Sequence, residues 1–99
     1  MWTIRWTSTA IQSVNEVSDF VETIWGSKIA NHFLDLVDEK IVLIGQNPEI
    51  GFSEIKLGLK SILVHKNVRL FYKVMDSEIV LLLFWDVRQN PEELEKKLT

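Results

Sequence analysis

Residues 59–85, LKSILVHKNVRLFYKVMDSEIVLLLFW, decide the fold of this chain. Three runs rich in β-branched and aromatic residues, 59–65, 68–74 and 78–85, are separated there by connections of two and three residues. Connections this short join neighbouring strands as hairpins, so the stretch predicts a three-stranded antiparallel meander. The last run is apolar on both faces, which is typical of a strand that lies centrally or is covered on both sides.

Two amphipathic helices are predicted before the meander. Apolar residues within 8–25 recur at the three- and four-residue spacing of a helix stripe, and the residues after Ser27 repeat it. We expect Thr7 or Ser8 to cap the first helix, Gly26 to close it and Ser27 to cap the second. Because almost nothing joins the two segments, the pattern predicts a tight antiparallel helical hairpin.

The remaining segments complete the predicted fold. Residues 2–6 alternate and predict a fourth strand beside the last one, and residues 46–58, with one Pro and two Gly, read as an irregular connection. The tail begins Asn90-Pro91-Glu92-Glu93, which is a helix start. We therefore predict one α+β domain over residues 1–99, with a four-stranded antiparallel sheet, helices packed on one face and a short C-terminal helix.

Composition excludes several classes of site. The chain has 99 residues, 46% of them hydrophobic, and no Cys, which excludes disulfides, thiolate metal sites and a Cys nucleophile. His32 and His65 have no partner at ligand spacing, so we expect no metal and no cofactor. The longest apolar run is the seven residues 79–85, whereas a membrane span needs about 20, so we expect a cytoplasmic protein without a membrane partner.

Charge is distributed unevenly along the chain. The formal net charge is −3, yet residues 56–88 hold six basic and three acidic residues, while residues 1–55 hold three basic and eight acidic ones. If the meander pairs as predicted, its basic side chains converge on one face or one end of the sheet, where they would hold a phosphodiester. These residues are Lys60, Arg69, Lys73 and Arg88. The alternative is that they are solvated strand residues that guard an edge.

Two further groups of side chains allow two interpretations each. We expect the aromatic residues of the periodic segments to be mostly core, with base stacking or a partner groove as alternatives; they are Trp2, Trp6, Trp25, Phe33, Phe71, Tyr72, Phe84 and Trp85. The acidic residues Asp35, Asp38 and Glu39 form either a solvated helix face or a dock for a basic partner.

Several segments taken together resemble the RelE/ParE superfamily of bacterial toxins, and the resemblance covers nearly the whole chain. It is carried by the order of the elements and by the segments QNPEIG at 46–51, GLK at 58–60, LVHKNVRLFYKV at 63–74 and FWDVRQNP at 84–91. The resemblance implies a cytoplasmic toxin of a type II toxin-antitoxin system, associated with growth inhibition and plasmid stabilisation. It also implies a cognate antitoxin that wraps around the toxin and neutralises it.

The resemblance leaves the cellular target open between the ribosome and DNA gyrase. Lys60, Arg69 and Arg88 match basic positions of the ribosome-dependent mRNA endonucleases in the superfamily, but Ile62 stands at another basic position and the C-terminal tyrosine has no equivalent. We therefore predict a ParE-like toxin that acts by protein binding rather than catalysis, with gyrase as the candidate target.

Two alternatives remain at this point. In an mRNA endonuclease, Arg69 and Arg88 would stabilise the transition state, and Lys60 or His65 would assist proton transfer at the 2′-hydroxyl. The other alternative is an inactive homologue that only binds the antitoxin.

Overall fold

The computed structural model describes residues 2–98, apart from the side chain of Ile55. The described residues form an α+β fold in which three α-helices accompany a five-stranded mixed sheet. In chain order the elements are β1 (Thr3–Trp6), α1 (Ser8–Trp25), α2 (Ser27–Gln46), β2 (Phe52–Glu54), β3 (Leu59–His65), β4 (Val68–Met75), β5 (Glu78–Asp86) and α3 (Pro91–Leu98). Short 3₁₀ turns at Pro48–Ile50 and Ile55–Leu57 flank β2.

The sheet has the strand order β1-β5-β4-β3-β2. The predicted meander is confirmed, because β3, β4 and β5 pair antiparallel in sequence order. β1 lies beside β5 as predicted, but it runs parallel to it, so the prediction of an all-antiparallel sheet is wrong. Residues 7–77, which include the helical hairpin and three strands, separate β1 from β5, so no tight turn forces the two strands to be antiparallel.

The prediction of four strands is also wrong, because β2 forms inside the connection that was expected to be irregular. Phe52 to Glu54 pair antiparallel with residues 59–61 of β3 and make β2 an edge strand. Three residues between a glycine and a 3₁₀ turn are too few to show an alternating pattern. Pairing with a strong neighbouring strand, rather than local sequence, makes this segment extended.

The core lies mainly between the sheet and the helical hairpin formed by α1 and α2. Its buried residues include Phe33, Val37 and Ile44 of α2 and Leu70, Tyr72, Ile79, Leu81 and Phe84 of the sheet. Leu94 and Leu98 of α3 pack on the opposite face against Phe71, Leu83 and Trp85. The helices therefore cover both faces rather than one, which explains why β5 is apolar on both sides.

A β-bulge in β5 is closed by side chains from the start of α1. Phe71 pairs with Leu83 but Tyr72 pairs with Leu81, so β5 carries one extra residue between them. β1 reaches only as far as Leu81 along the other edge of β5. Beyond that point the hydroxyl of Thr7 donates to the Leu81 carbonyl (2.8 Å), and the Oγ of buried Ser13 accepts a hydrogen bond from the backbone N–H of Phe84 (2.9 Å).

Most of the predicted helix ends are confirmed. Thr7 Oγ1 accepts from the N–H of Ala10 (3.1 Å), and Asn90 Oδ1 accepts from the N–H of Glu92 (2.9 Å). Gly26 closes α1 with a φ of +96°, a value that favours glycine. The predicted Ser27 cap is wrong, because Gly26 occupies the N-cap position of α2 and the Ser27 hydroxyl donates to the Glu22 carboxylate instead (3.1 Å).

Tyr72 fixes the segment between α2 and β2 against the sheet. Its buried hydroxyl donates to the Pro48 carbonyl (2.8 Å) and accepts from the N–H of Gly51 (3.1 Å). Burial is the main reason that the pKa of Tyr72 is raised above 10.0. A Cβ at position 51 would collide with this hydroxyl and would lie 2.9 Å from the Ser61 carbonyl oxygen, so the close approach requires glycine. β2 is thereby placed at the edge of the sheet, beside two of the predicted site residues.

Candidate functional site

The basic strand residues Lys60 and Arg69 lie on opposite faces of the sheet. Lys60 pairs with Tyr72, whose side chain belongs to the core under the helical hairpin. Arg69 pairs with Trp85, whose side chain lies in the cluster beneath α3. Because paired residues point to the same face, the expected convergence of the basic strand residues is wrong for these two.

Lys60 is already neutralised by an acidic neighbour. Its side chain is only 17% exposed, and Nζ lies 3.1 Å from Glu49 Oε2 and 3.3 Å from Ser53 Oγ. It lines a cleft of about 310 Å³ together with Glu49, Ser53, Glu54, Gly58, Leu59 and Val74. A phosphate that entered this cleft would have to compete with the Glu49 carboxylate for its one ammonium group, so the cleft is unfavourable for an anion.

Arg69 belongs to a separate network on the α3 side of the sheet. Its Nε donates to Ser61 Oγ (3.1 Å), and the Ser61 hydroxyl donates to Glu54 Oε1 (2.7 Å). The guanidinium carbon also lies 5.4 Å from the ring centroid of Phe52, a cation-π contact. These contacts hold the edge strand β2 against β3 and β4, which is a structural role for Arg69.

Arg88 is paired with the last residue of β5. Its Nη2 donates to Asp86 Oδ2 (2.7 Å) and its Nε to Asp86 Oδ1 (3.1 Å), while the backbone N–H of Arg88 donates to the same Oδ1 (2.9 Å). These bonds lower the pKa of Asp86 below 3.8 and raise the pKa of Arg88. A bidentate pair of this kind leaves a much weaker positive field for a substrate phosphate than a free guanidinium would.

The structure brings together the two histidines that the sequence left unpartnered. The rings of His32 on α2 and His65 at the end of β3 lie 6.2 Å apart, edge to face. Burial, then the charge of Lys66 and then His32 lower the pKa of His65 below 6.5. Lys60 and His65 are five residues apart on β3, which corresponds to about 17 Å along an extended strand. These two residues therefore do not share a site.

Aromatic residues divide between the core and the surface. The expectation of core packing is confirmed for the buried residues Phe33, Phe71, Tyr72, Phe84 and Trp85. It is wrong for Trp25, which is 66% exposed at the closed end of the hairpin. Trp6 is 37% exposed and stacks on Phe84, with the ring centroids 5.7 Å apart.

Sequence reasoning missed an apolar surface at the closed end of the helical hairpin. Four residues there, which we call the hairpin tip patch, are exposed: Phe20 (62%), Ile24 (53%), Trp25 (66%) and Ile29 (44%). Ile24 lies on the predicted apolar stripe of α1, so periodicity assigned it to the core. One sequence feature could have revealed this surface: four large apolar residues lie within ten positions around Gly26. The chain reverses direction there, and the helix ends have few neighbouring residues to cover them.

The outer surface of the hairpin is acidic. Residues 8–46 contain Glu16, Asp19, Glu22, Asp35, Asp38 and Glu39 but only two basic residues, Lys28 and Lys40. All six carboxylates are exposed, and none of them forms an ion pair with another described residue. The predicted acidic face on α2 is therefore exposed, and α1 extends it.

A second exposed surface lies on the α3 side of the sheet. Phe52 is 72% exposed and Leu63 is 43% exposed, and both share that face with Arg69. We call these three residues the open sheet surface. Within residues 2–98, no group of three or more Asp, Glu or His is placed to hold a metal ion, and no helix is both long enough and apolar enough to span a membrane.

One comparison with known proteins identifies a family, and a second supports the fold. A family model described as "ParE toxin of type II toxin-antitoxin system, parDE" matches residues 4–91. Among solved structures, a chain from "Chromosomal ParDE TA system from P. aeruginosa" superimposes with a TM-score of 0.75 at 21% sequence identity, covering 88% of this chain and 97% of the other. At that identity the structural match supports the fold. A search of curated proteins finds no match.

Proposed function

Because the chain belongs to the ParE toxin family of type II toxin-antitoxin systems, we propose that it is a bacterial cytoplasmic toxin that acts by binding DNA gyrase and is neutralised by a cognate antitoxin. Growth inhibition by the free toxin, and plasmid stabilisation where the gene pair is carried on a plasmid, follow from that activity. The toxin role comes from the family, and the mode of action is argued below from the basic residues and the two exposed surfaces.

The separation of Lys60 from Arg69 is the observation that carries the proposed mode of action. A ribonuclease site needs its cationic groups within a few ångströms of one phosphate, on the same side of the protein. Here the two residues lie on opposite faces, and each has a polar partner of its own in Glu49 or Ser61. This arrangement favours a toxin that works through protein contacts over one that cleaves mRNA.

Electrostatics support the same choice of target. Contacts with backbone phosphates supply much of the affinity for RNA and require a basic surface. The chain has a formal net charge of −3, and the exposed surface of its helical hairpin is acidic. An RNA-rich ribosomal site would repel that surface, whereas a protein target need not.

The two exposed apolar surfaces are where we place the antitoxin. The hairpin tip patch suits an amphipathic helix, and the open sheet surface suits an extended segment that continues from it. Exposed apolar side chains that lie close together are typical of protein–protein contact sites. A wrapping antitoxin segment would cover both surfaces.

Controlled induction of the chain without an antitoxin tests this proposal. We expect growth to stop, plasmid supercoiling to decrease, and primer extension on translated mRNA to show no new cuts. Arg69→Lys and Arg88→Lys variants provide the matched controls, since each keeps the charge but loses the planar guanidinium. New cuts that disappear in either variant would contradict the proposal and establish an endonuclease. Normal growth with intact antitoxin binding would instead identify an inactive antitoxin-binding homologue.

A further inference from the structure

Two imidazoles meet where the helical hairpin lies against the sheet. His32 lies on α2 and His65 is the last residue of β3, and their ring centroids are 6.2 Å apart. We propose that His32 and His65 form a two-histidine site for a divalent transition-metal ion that prefers imidazole ligands, with Zn²⁺ as the representative ion. The proposal does not depend on the toxin role proposed above.

The separation of the two rings is within the range that one ion spans. A bond from Zn²⁺ to an imidazole nitrogen is about 2.0–2.1 Å long. With the ring radius added, two rings bound to one tetrahedral ion have centroids about 5.2 Å apart, and this separation rises to about 6.4 Å as the two bonds become collinear. The observed 6.2 Å therefore reaches the tetrahedral value through a movement of about 1 Å.

The ring nitrogens are available to bind an ion. Neither imidazole forms a hydrogen bond or an ion pair with another residue that the structure describes. His32 is exposed and His65 is half-buried, and the torsion that rotates an imidazole ring is broad, so a nitrogen of each ring can turn toward the other at low cost. The angle of 88° between the ring planes is no obstacle, because the ion must lie in both planes and this sets no angle between them.

The donor set selects the class of ion. Imidazole suits Zn²⁺, Cu²⁺ and Ni²⁺, whereas Mg²⁺ and Ca²⁺ take oxygen ligands. No third His, Asp or Glu is placed with this pair among the described residues, so water completes the coordination of the ion. Two exposed charges lie nearby with opposite effects: Asp35, one turn along α2 from His32, attracts a cation, and Lys66, next to His65, repels it.

A bound ion would join two elements that are distant in the chain. The two histidines are separated by 32 residues, so the unfolded chain does not hold their rings together. An ion that both rings hold therefore binds the folded chain more tightly than the unfolded one and raises the melting temperature. An ion that binds each ring separately has no such preference.

Calorimetric titration of the untagged chain with zinc chloride tests the proposal. The chain contains two His and no Cys, so His32→Gln and His65→Gln each remove one of its two imidazoles. We expect one Zn²⁺ per parent chain and binding at least about tenfold weaker in each variant, because two ligands held together act as one chelating site. Zn²⁺ should raise the melting temperature of the parent but not of either variant, and Mg²⁺ is the control ion. Circular dichroism confirms that each variant is folded before binding is measured.

Four results would overturn the proposal. Two independent ions per parent chain, with one retained in each variant, would show that the imidazoles bind separately. Unchanged affinity in both variants would place the ion on carboxylates, and a zinc-dependent dimer in sedimentation would assign the two ligands to different copies. Absence of saturable binding, or binding that leaves the melting temperature of the parent unchanged, would show that no ion joins α2 to β3.

Discussion

Replacing Ser13 by Ala removes the hydroxyl that closes the bulge in β5. Ser13 is buried, and its Oγ accepts the N–H of Phe84 at 2.9 Å where β1 no longer reaches β5. A buried amide without a partner costs about 1–3 kcal/mol. Alanine offsets roughly 0.5 kcal/mol of that through its better helix propensity. We therefore expect a net loss of about 0.5–2.5 kcal/mol in the free energy of unfolding.

Thermal unfolding followed by circular dichroism measures this loss. For a domain of this size, 1 kcal/mol lowers the melting temperature by about 4–8 °C. Ser18→Ala is the matched control, since Ser18 is half-buried on the same helix but takes no part in the bulge. We expect the control to stay within about 0.5 kcal/mol of the parent. If Ser13→Ala melted with the control, the side chain would not hold the bulge and our account of how α1 is joined to the sheet would be wrong.

Other predictions concern the core, a close contact and pH. Phe33→Ala and Trp85→Ala should each lose about 3–5 kcal/mol in urea unfolding, since both side chains are buried, and a midpoint close to that of the parent would refute the core assignment. Gly51→Ala should lower the free energy of unfolding by about 1–3 kcal/mol, because the new Cβ collides with the Tyr72 hydroxyl. An unchanged urea midpoint would show that the segment around residue 51 moves aside. Hydrogen bonds from Arg88 lower the pKa of Asp86 below 3.8 and so stabilise the folded chain while Asp86 is ionised. The Asp86→Asn variant should therefore have a lower melting temperature than the parent near neutral pH. The two melting temperatures should become equal in acid, where Asp86 of the parent is protonated. A difference that persisted in acid would contradict that source of stability.

The sequence predicted most of the fold because most of its signals are local. Residue types identified Asn90 as a cap and narrowed the first cap to Thr7 or Ser8, and short connections identified the meander. The direction of β1 depends on its pairing with β5, which lies far away in the chain, and β2 is only three residues long, so neither leaves a local pattern. The edge strand Phe52–Glu54 in particular is held by Ser61 and Arg69, side chains that the two following strands contribute.

The candidate site was less predictable because a strand residue's face depends on register. Lys60 and Arg69 are both basic and both lie on strands of one hairpin, so the sequence allowed them to converge. Their partners across the strands, Tyr72 and Trp85, belong to different faces of the sheet, and only the paired structure shows this. The hairpin tip patch was missed for a related reason, since periodicity marks Ile24 as apolar but does not show whether anything covers it.

Supercoiling of relaxed plasmid by purified gyrase, measured with increasing amounts of this chain, tests the central claim most directly. The account predicts that supercoiling decreases as the chain is added and returns when the purified product of the adjacent reading frame is added. In parallel, translating ribosomes supplied with the same chain should yield no new mRNA ends. Unaltered gyrase together with mRNA cuts that disappear in Arg69→Lys or Arg88→Lys would contradict the account.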